Sequence, residues 1–97
     1  MQSFRRVGGS VFYVYALYSR LDNKFYIGFT RDLKARVKKH QEKGNHSTKR
    51  FKNIELVYYE ACRDEKDARK REIQLKTGFG RSFLRNRVKS YLDNLNK

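Results

Sequence analysis

Eight consecutive residues, Val11-Phe12-Tyr13-Val14-Tyr15-Ala16-Leu17-Tyr18, carry no charge and no polar group beyond tyrosine hydroxyls. β-Branched and aromatic side chains in an unbroken run predict a strand covered on both faces. Other elements must therefore pack on each side of it. The chain has 97 residues in which to build them, enough for one small domain with one modest core.

The remaining elements follow from turn and cap signals. Asp22-Asn23 marks a turn, and Lys24 to Phe29 reads as a second strand, closing a hairpin. Gly28, near its end, lets a ligand or another backbone approach closely. Thr30 is placed to cap a helix that runs to about Lys43, with Leu33, Val37 and Ala35 inward and Gly44 as its stop. A polar basic loop follows, and Ile54 to Ala61 reads as a third strand. Asp64 is a good N-cap for a second helix ending at Gly78, with Ala68, Glu72 and Leu75 spaced to face inward. Beyond Gly80, Ser82 to Leu92 predicts a last helix through Phe83, Val88, Tyr91 and Leu92. The order is ββαβαα, an α/β (α+β) chain. Residues 1–10 read as a flexible basic lead-in, 11–93 as the domain and 94–97 as a polar tail.

Lys and Arg number 24 against 10 Asp and Glu, a formal net charge of +14. Self-repulsion of that size points to a polyanionic partner: nucleic acid, or less often an anionic membrane. RNA-binding and ribosome-associated proteins share this composition, so charge alone does not separate a nuclease from a binder. Cys62 is the only cysteine, which excludes an internal disulfide, and one Cys with two His does not build a structural zinc site. No apolar run approaches the ~20 residues of a membrane helix. No small-residue cleavage site follows the first apolar run, so a cytoplasmic protein is expected.

Tyr26-Ile27-Gly28, then Arg36 and His40 one helical turn apart, then Glu72, place a phenol, a guanidinium, an imidazole and a carboxylate in this basic chain. Phosphodiester cleavage needs such groups: one to take a proton, one to hold phosphate charge, an acid to carry a divalent metal. Each also has a plainer reading. Glu72 on a semi-apolar helix face must be solvated, paired or metal-bound; an i,i+4 pair with Lys76, or a helix turned to put Ile73 inward, would also account for it. Arg36 and His40 could belong to a solvated basic face beside Lys34, Lys38, Lys39 and Lys43. Tyr15 and Tyr26 could be packing residues of the hairpin. The loop containing Ser47, Thr48, Lys49 and Arg50 suits phosphate contacts or plain solvation equally.

The chain resembles the GIY-YIG nuclease superfamily, in particular small stand-alone modules similar to the N-terminal nuclease domain of the bacterial excision-repair nuclease UvrC. The resemblance covers about residues 11 to 92. It is carried by Tyr26-Ile27-Gly28, by the stretch from Thr30-Arg31-Asp32-Leu33 through Arg36 to His40, and by Arg71-Glu72-Ile73-Gln74-Leu75-Lys76. It implies a central three-stranded antiparallel sheet flanked by helices, and hydrolysis of DNA with Mg²⁺ or Mn²⁺. By resemblance, Tyr15 and Tyr26 are the two motif tyrosines, Arg36 the phosphate-stabilising residue, His40 a proton relay and Glu72 the metal ligand. Lys24, Lys39, Lys76, Arg81 and Asn86, with the loop residues Ser47, Thr48, Lys49 and Arg50, are the expected nucleic-acid contacts.

The first motif is Tyr13-Val14-Tyr15 rather than Gly-Ile-Tyr. Phe29 stands where several family nucleases carry a lysine, with Lys24 as a stand-in, and Asn86 is nearest by spacing to the family's late asparagine. The expected reaction is in-line attack of water on phosphorus, with Tyr15 or Tyr26 as base. Specificity is expected from DNA structure or from a protein partner, acting on a monomer or transient dimer. The rivals are a non-catalytic DNA- or RNA-binding module on a nuclease fold and an RNA-associated factor. The sequence does not choose among repair, recombination and defence as the setting.

Overall fold

A computed structural model of the chain describes residues 11–46 and 54–95. Strands β1 (Phe12–Ser19), β2 (Lys24–Thr30) and β3 (Ile54–Cys62) form one antiparallel sheet in the order β2-β1-β3. Helix α1 (Leu33–His46) lies between β2 and β3 in the chain, and α2 (Glu65–Leu75), α3 (Gly78–Arg87) and α4 (Lys89–Leu95) follow. The uncharged run is the central strand, and Val14 through Ser19 are buried on both faces, as its composition requires.

The pleat sorts side chains between two layers. Val14 and Ala16 join Ala68, Leu75 and Leu84 in the main core, flanked by Phe25, Ile27, Phe29 and Phe83, so α2 and α3 cover one face. Tyr18, Val88 and Leu92 extend that face beneath α4. Tyr15 lies on the opposite face with its cross-strand partners Gly28 and Tyr59. That face receives α1, whose half-buried stripe is Leu33, Val37 and His40, with Ala35 exposed.

Several helix boundaries differ from expectation. Asp32 caps α1, its carboxylate accepting from the Ala35 N–H at 3.1 Å, while Thr30 exchanges bonds with the Asp32 backbone. α1 continues through Gly44 to His46, because an interior glycine costs only about 1 kcal/mol and breaks no hydrogen bond. Asp64 caps α2 as expected, accepting from Lys66 N–H at 2.7 Å. α2 then stops at Leu75, and Thr77, with an extended ψ of 175°, caps a new helix. Gly80 permits that sharp corner, since a Cβ there would overlap the Leu75 backbone. The expected last helix is two helices, α3 and α4, divided at Val88. The order is therefore ββαβααα, within the α+β class expected.

Two contacts fix how α2 is rolled on the sheet. On the β3 side, Arg71 donates to both oxygens of Glu60 at 3.0 and 2.8 Å, and Tyr58 donates to the same carboxylate at 2.7 Å. Burial alone raises the Glu60 pKa, but the bonds from Arg71 and Tyr58 outweigh it and hold the carboxyl below its ordinary value. On the β2 side, the Arg69 guanidinium stacks over the Phe29 ring at 3.8 Å. Glu72, one residue past Arg71, is thereby turned toward β2.

Candidate active site

The site is built around Gly28. Tyr15 sits directly opposite it on β1, and a Cβ on Gly28 would overlap the Tyr15 ring and hydroxyl. The missing side chain lets the phenol lean across β2 toward the free edge of the sheet. There its hydroxyl lies 3.5 Å from His40 Nε2, with the two rings edge to face at 6.2 Å. That is long for a hydrogen bond, as contacts at substrate-free sites often are. Tyr15 is otherwise enclosed, at 3% exposure.

Arg36 precedes His40 by one turn of α1 and is exposed. Lys34, Lys38 and Gln41 occupy the flank of α1 that faces β3. Helical spacing therefore sets Arg36 on the other flank, toward β2 and the Tyr15–His40 pair, with Lys39 beside it. The Arg36 guanidinium makes no hydrogen bond or ion pair with a described residue.

Tyr26 lies on the same face of β2 as Gly28, two residues along, and is 36% exposed. Its hydroxyl donates to Asp22 Oδ2 at 2.9 Å. The turn that carries Asp22 is itself anchored. Asn23 takes a left-handed φ of 55°, accepts from the Tyr18 hydroxyl at 2.6 Å, and accepts from Arg85 through its carbonyl at 3.0 Å. Lys24, Tyr26, Lys76, Thr77, Arg81 and Arg85 line one open cleft of about 500 Å³ along this edge.

Glu72 closes the constellation from α2. Its side chain is 14% exposed, with Oε2 3.0 Å from Lys76 Nζ and Oε1 3.6 Å from Arg69 Nη1. Lys76 joins it to the cleft that holds Tyr26. Ile73, at 67% exposure, is not the inward residue of this helix. Phe29 belongs to the core, and Arg69 on its ring sets a cation beside Glu72.

The structure thus brings Tyr15 and His40 into contact. It gathers Lys24, Tyr26, Lys76 and Arg81 in one cleft, with Glu72 attached through Lys76. Asn86 is exposed and lines no part of that cleft. Arg85 does, and its i,i+4 spacing from Arg81 was the available signal. Ser47, Thr48, Lys49 and Arg50 fall outside the described residues.

The GIY-YIG catalytic domain family matches residues 11–86. The chain belongs to the GIY-YIG family. It is 42% identical over 57 residues to a UPF0213 protein of Staphylococcus epidermidis, a match covering 58% of this chain and 70% of the relative. UPF0213 proteins of Staphylococcus aureus are 39% identical over the same length, with the same coverage. No solved structure matches the chain significantly. GIY-YIG domains are nuclease folds, whose substrate is DNA and which generally use a divalent metal ion.

Among the described residues no cluster of three or more His, Cys, Asp or Glu forms a ready metal cage. A lone, largely enclosed carboxylate instead suits a hard cation that keeps most of its water and completes its shell with substrate phosphate. The chemistry of Glu72 fits such a hard divalent ion and not a structural zinc. None of the described helices is long and apolar enough to cross a membrane.

Proposed function

We propose that this GIY-YIG protein is an endonuclease that hydrolyses DNA phosphodiesters at the free edge of β2, choosing its target by DNA structure or through a protein partner. The observation that carries the reading is the Tyr15 hydroxyl held over Gly28 against His40 Nε2 at 3.5 Å. A phenol with an imidazole behind it can take a proton from water and pass it on, provided Nδ1 carries the imidazole proton in the resting state. In this reading Tyr15, rather than Tyr26, is the base and His40 is the relay.

Water attacks phosphorus and gives its proton to Tyr15, the P–O3′ bond breaks, and the leaving oxygen takes up a proton from solvent. Products are a 5′-phosphate and a 3′-hydroxyl. Arg36, unpaired among the described residues, presents two parallel donors to the charge that builds on the phosphoryl oxygens. Tyr26, oriented by Asp22, is exposed enough to touch substrate and positions the attacked phosphate. Glu72 would hold the divalent ion, which when bound supplies positive charge to the leaving oxygen. Lys24, Lys76, Arg81 and Arg85 hold the flanking strand through its phosphates, with Lys39 adding charge on α1 and Asn86 a more distant contact.

A second reading, a binding module that does not cut, draws on the two cations already paired to Glu72. The deciding experiment is cleavage of labelled single-stranded, duplex, flap and branched DNA in Mg²⁺ or Mn²⁺ against EDTA, with the native chain and Glu72→Gln. Cutting by the native protein, lost in a Glu72→Gln variant that still binds, supports the nuclease. Tight binding by both without cleavage of any substrate overturns it in favour of the binder.

A further inference from the structure

The flank of α1 turned away from Tyr15 borders a second opening. An open cleft of about 740 Å³ runs between this flank and β3, with Val37 and Leu56 in its lining. Two tyrosines stand in it, Tyr13 and Tyr59, in edge contact at 6.1 Å. Tyr59 is 53% exposed, and its hydroxyl bonds to no described residue. A ring left this open offers a flat apolar face on which a stacking partner can lie.

The charges around the ring say what would cover it. Lys34 and Lys38 are one helical turn apart on the cleft wall, and neither ammonium is paired with a described residue. Arg31 is already committed, to Glu65 at 2.8 Å and the Phe12 ring at 5.3 Å. Asp32, the one acid among the described residues of the lining, is occupied capping α1. An exposed aromatic face beside unpaired lysines is the arrangement that holds a single strand: a base stacks on the ring while cations meet its phosphates. Duplex DNA keeps its bases stacked on each other and offers that ring nothing.

We propose that the α1–β3 cleft is a second nucleic-acid site for a single-stranded segment of DNA, with a base stacked on Tyr59 and phosphates held by Lys34 and Lys38. It is separate from the β2-edge cleft, because α1 and Tyr15 of the central strand lie between them and the two linings share no described residue. The proposal rests on the reading of DNA as substrate but does not need cleavage. With both sites filled, a molecule would hold a duplex arm at one edge and an unpaired strand at the other, which favours DNA at a junction or flap.

The test is fluorescence anisotropy in EDTA with a short fluorescein-labelled oligothymidylate and a blunt duplex of equal length, over a salt series. Tyr59→Ala should weaken single-strand binding by roughly five- to a hundredfold, the range for one stacked base, and leave the duplex within about twofold. Tyr59→Phe, which keeps the ring, should bind as the native chain does. Lys34→Ala with Lys38→Ala should flatten the single-strand log–log salt slope by about 1.4. Thermal melting confirms that each variant is folded, and Tyr59→Leu replaces Tyr59→Ala should the latter unfold. Unchanged single-strand affinity in Tyr59→Ala, an equal loss on duplex, or a Phe variant as weak as the Ala variant overturns the proposal. If the Tyr59 effect is present and no DNA is cut, the nuclease reading fails and the second site stands. If DNA is cut and Tyr59→Ala has no effect on binding, the second site alone fails.

Discussion

Gly28→Ala tests the packing on which the site depends. The added methyl would overlap the Tyr15 ring and hydroxyl, and the ring has little room to retreat, since Tyr15 is 3% exposed and His40 stands behind it. Overpacking of this kind costs about 1–3 kcal/mol. Alanine in a strand recovers about 0.5–1 kcal/mol relative to glycine. The net loss should be about 0–2.5 kcal/mol, or a fall in Tm of up to roughly 20 °C for a domain of this size. The same substitution placed in Tyr15→Leu, whose side chain is too short to reach across β2, should be neutral or slightly stabilising. Urea unfolding of the four proteins of this cycle then gives a coupling of about 1–3 kcal/mol between positions 15 and 28. An equal cost of Gly28→Ala in both backgrounds would refute the account of why a glycine faces this tyrosine.

Further outcomes follow from other contacts. Tyr15→Phe should bind DNA as well as the native chain while kcat drops by about 10²–10⁴-fold, the usual worth of a general base; single-turnover cleavage measures it. Glu60 has a folded pKa below its ordinary value, so it binds fewer protons folded than unfolded near that range. Its stabilisation is complete above the ordinary carboxylate pKa and disappears as pH falls through the folded value. Urea midpoints from neutral pH into acid should show that loss in the native chain, and less of it in Glu60→Gln. Asn23→Val should cost about 1–2 kcal/mol because a β-branched residue resists a left-handed backbone, whereas Asn23→Gly should cost less than Asn23→Val; chemical denaturation separates them. If about six phosphates are held on duplex DNA, log affinity against log salt should have a slope near −5, and a slope near zero would remove the electrostatic basis for DNA binding.

Side-chain chemistry acting within a few residues was readable in the sequence. The run from Val11 announced a strand covered on both faces, Asp64 its helix, and the spacing of Ala68, Glu72 and Leu75 the half-buried carboxylate. Arg36 and His40 were expected on one face, and the fold directs His40 onto Tyr15. Features set by distant packing were not readable. The corner at Thr77–Gly80 depends on α3 docking against the Leu75 backbone, and the break at Val88 on fitting α3 and α4 over one sheet face. Thr30 was the expected cap, and the backbone path out of β2 gives that place to Asp32 instead. Asn86, nearest by spacing to the family's late asparagine, lies outside the cleft, whereas the turn at Asn23, sixty-two residues earlier in the chain, is what draws Arg85 into it.

That last contact bears on the order in which the site comes into being. The β1–β2 hairpin is local and can close within microseconds, so Tyr26 and its Asp22 partner come together early. The clamp on the neighbouring Asn23 arrives only with α3, after a chain segment long enough to make the encounter slow. During synthesis from the N-terminus, the emerging polypeptide is a polycation before it owns a finished cleft. Positive charge precedes the finished cleft, and docking of α3 against the Asn23 turn is the step that completes it.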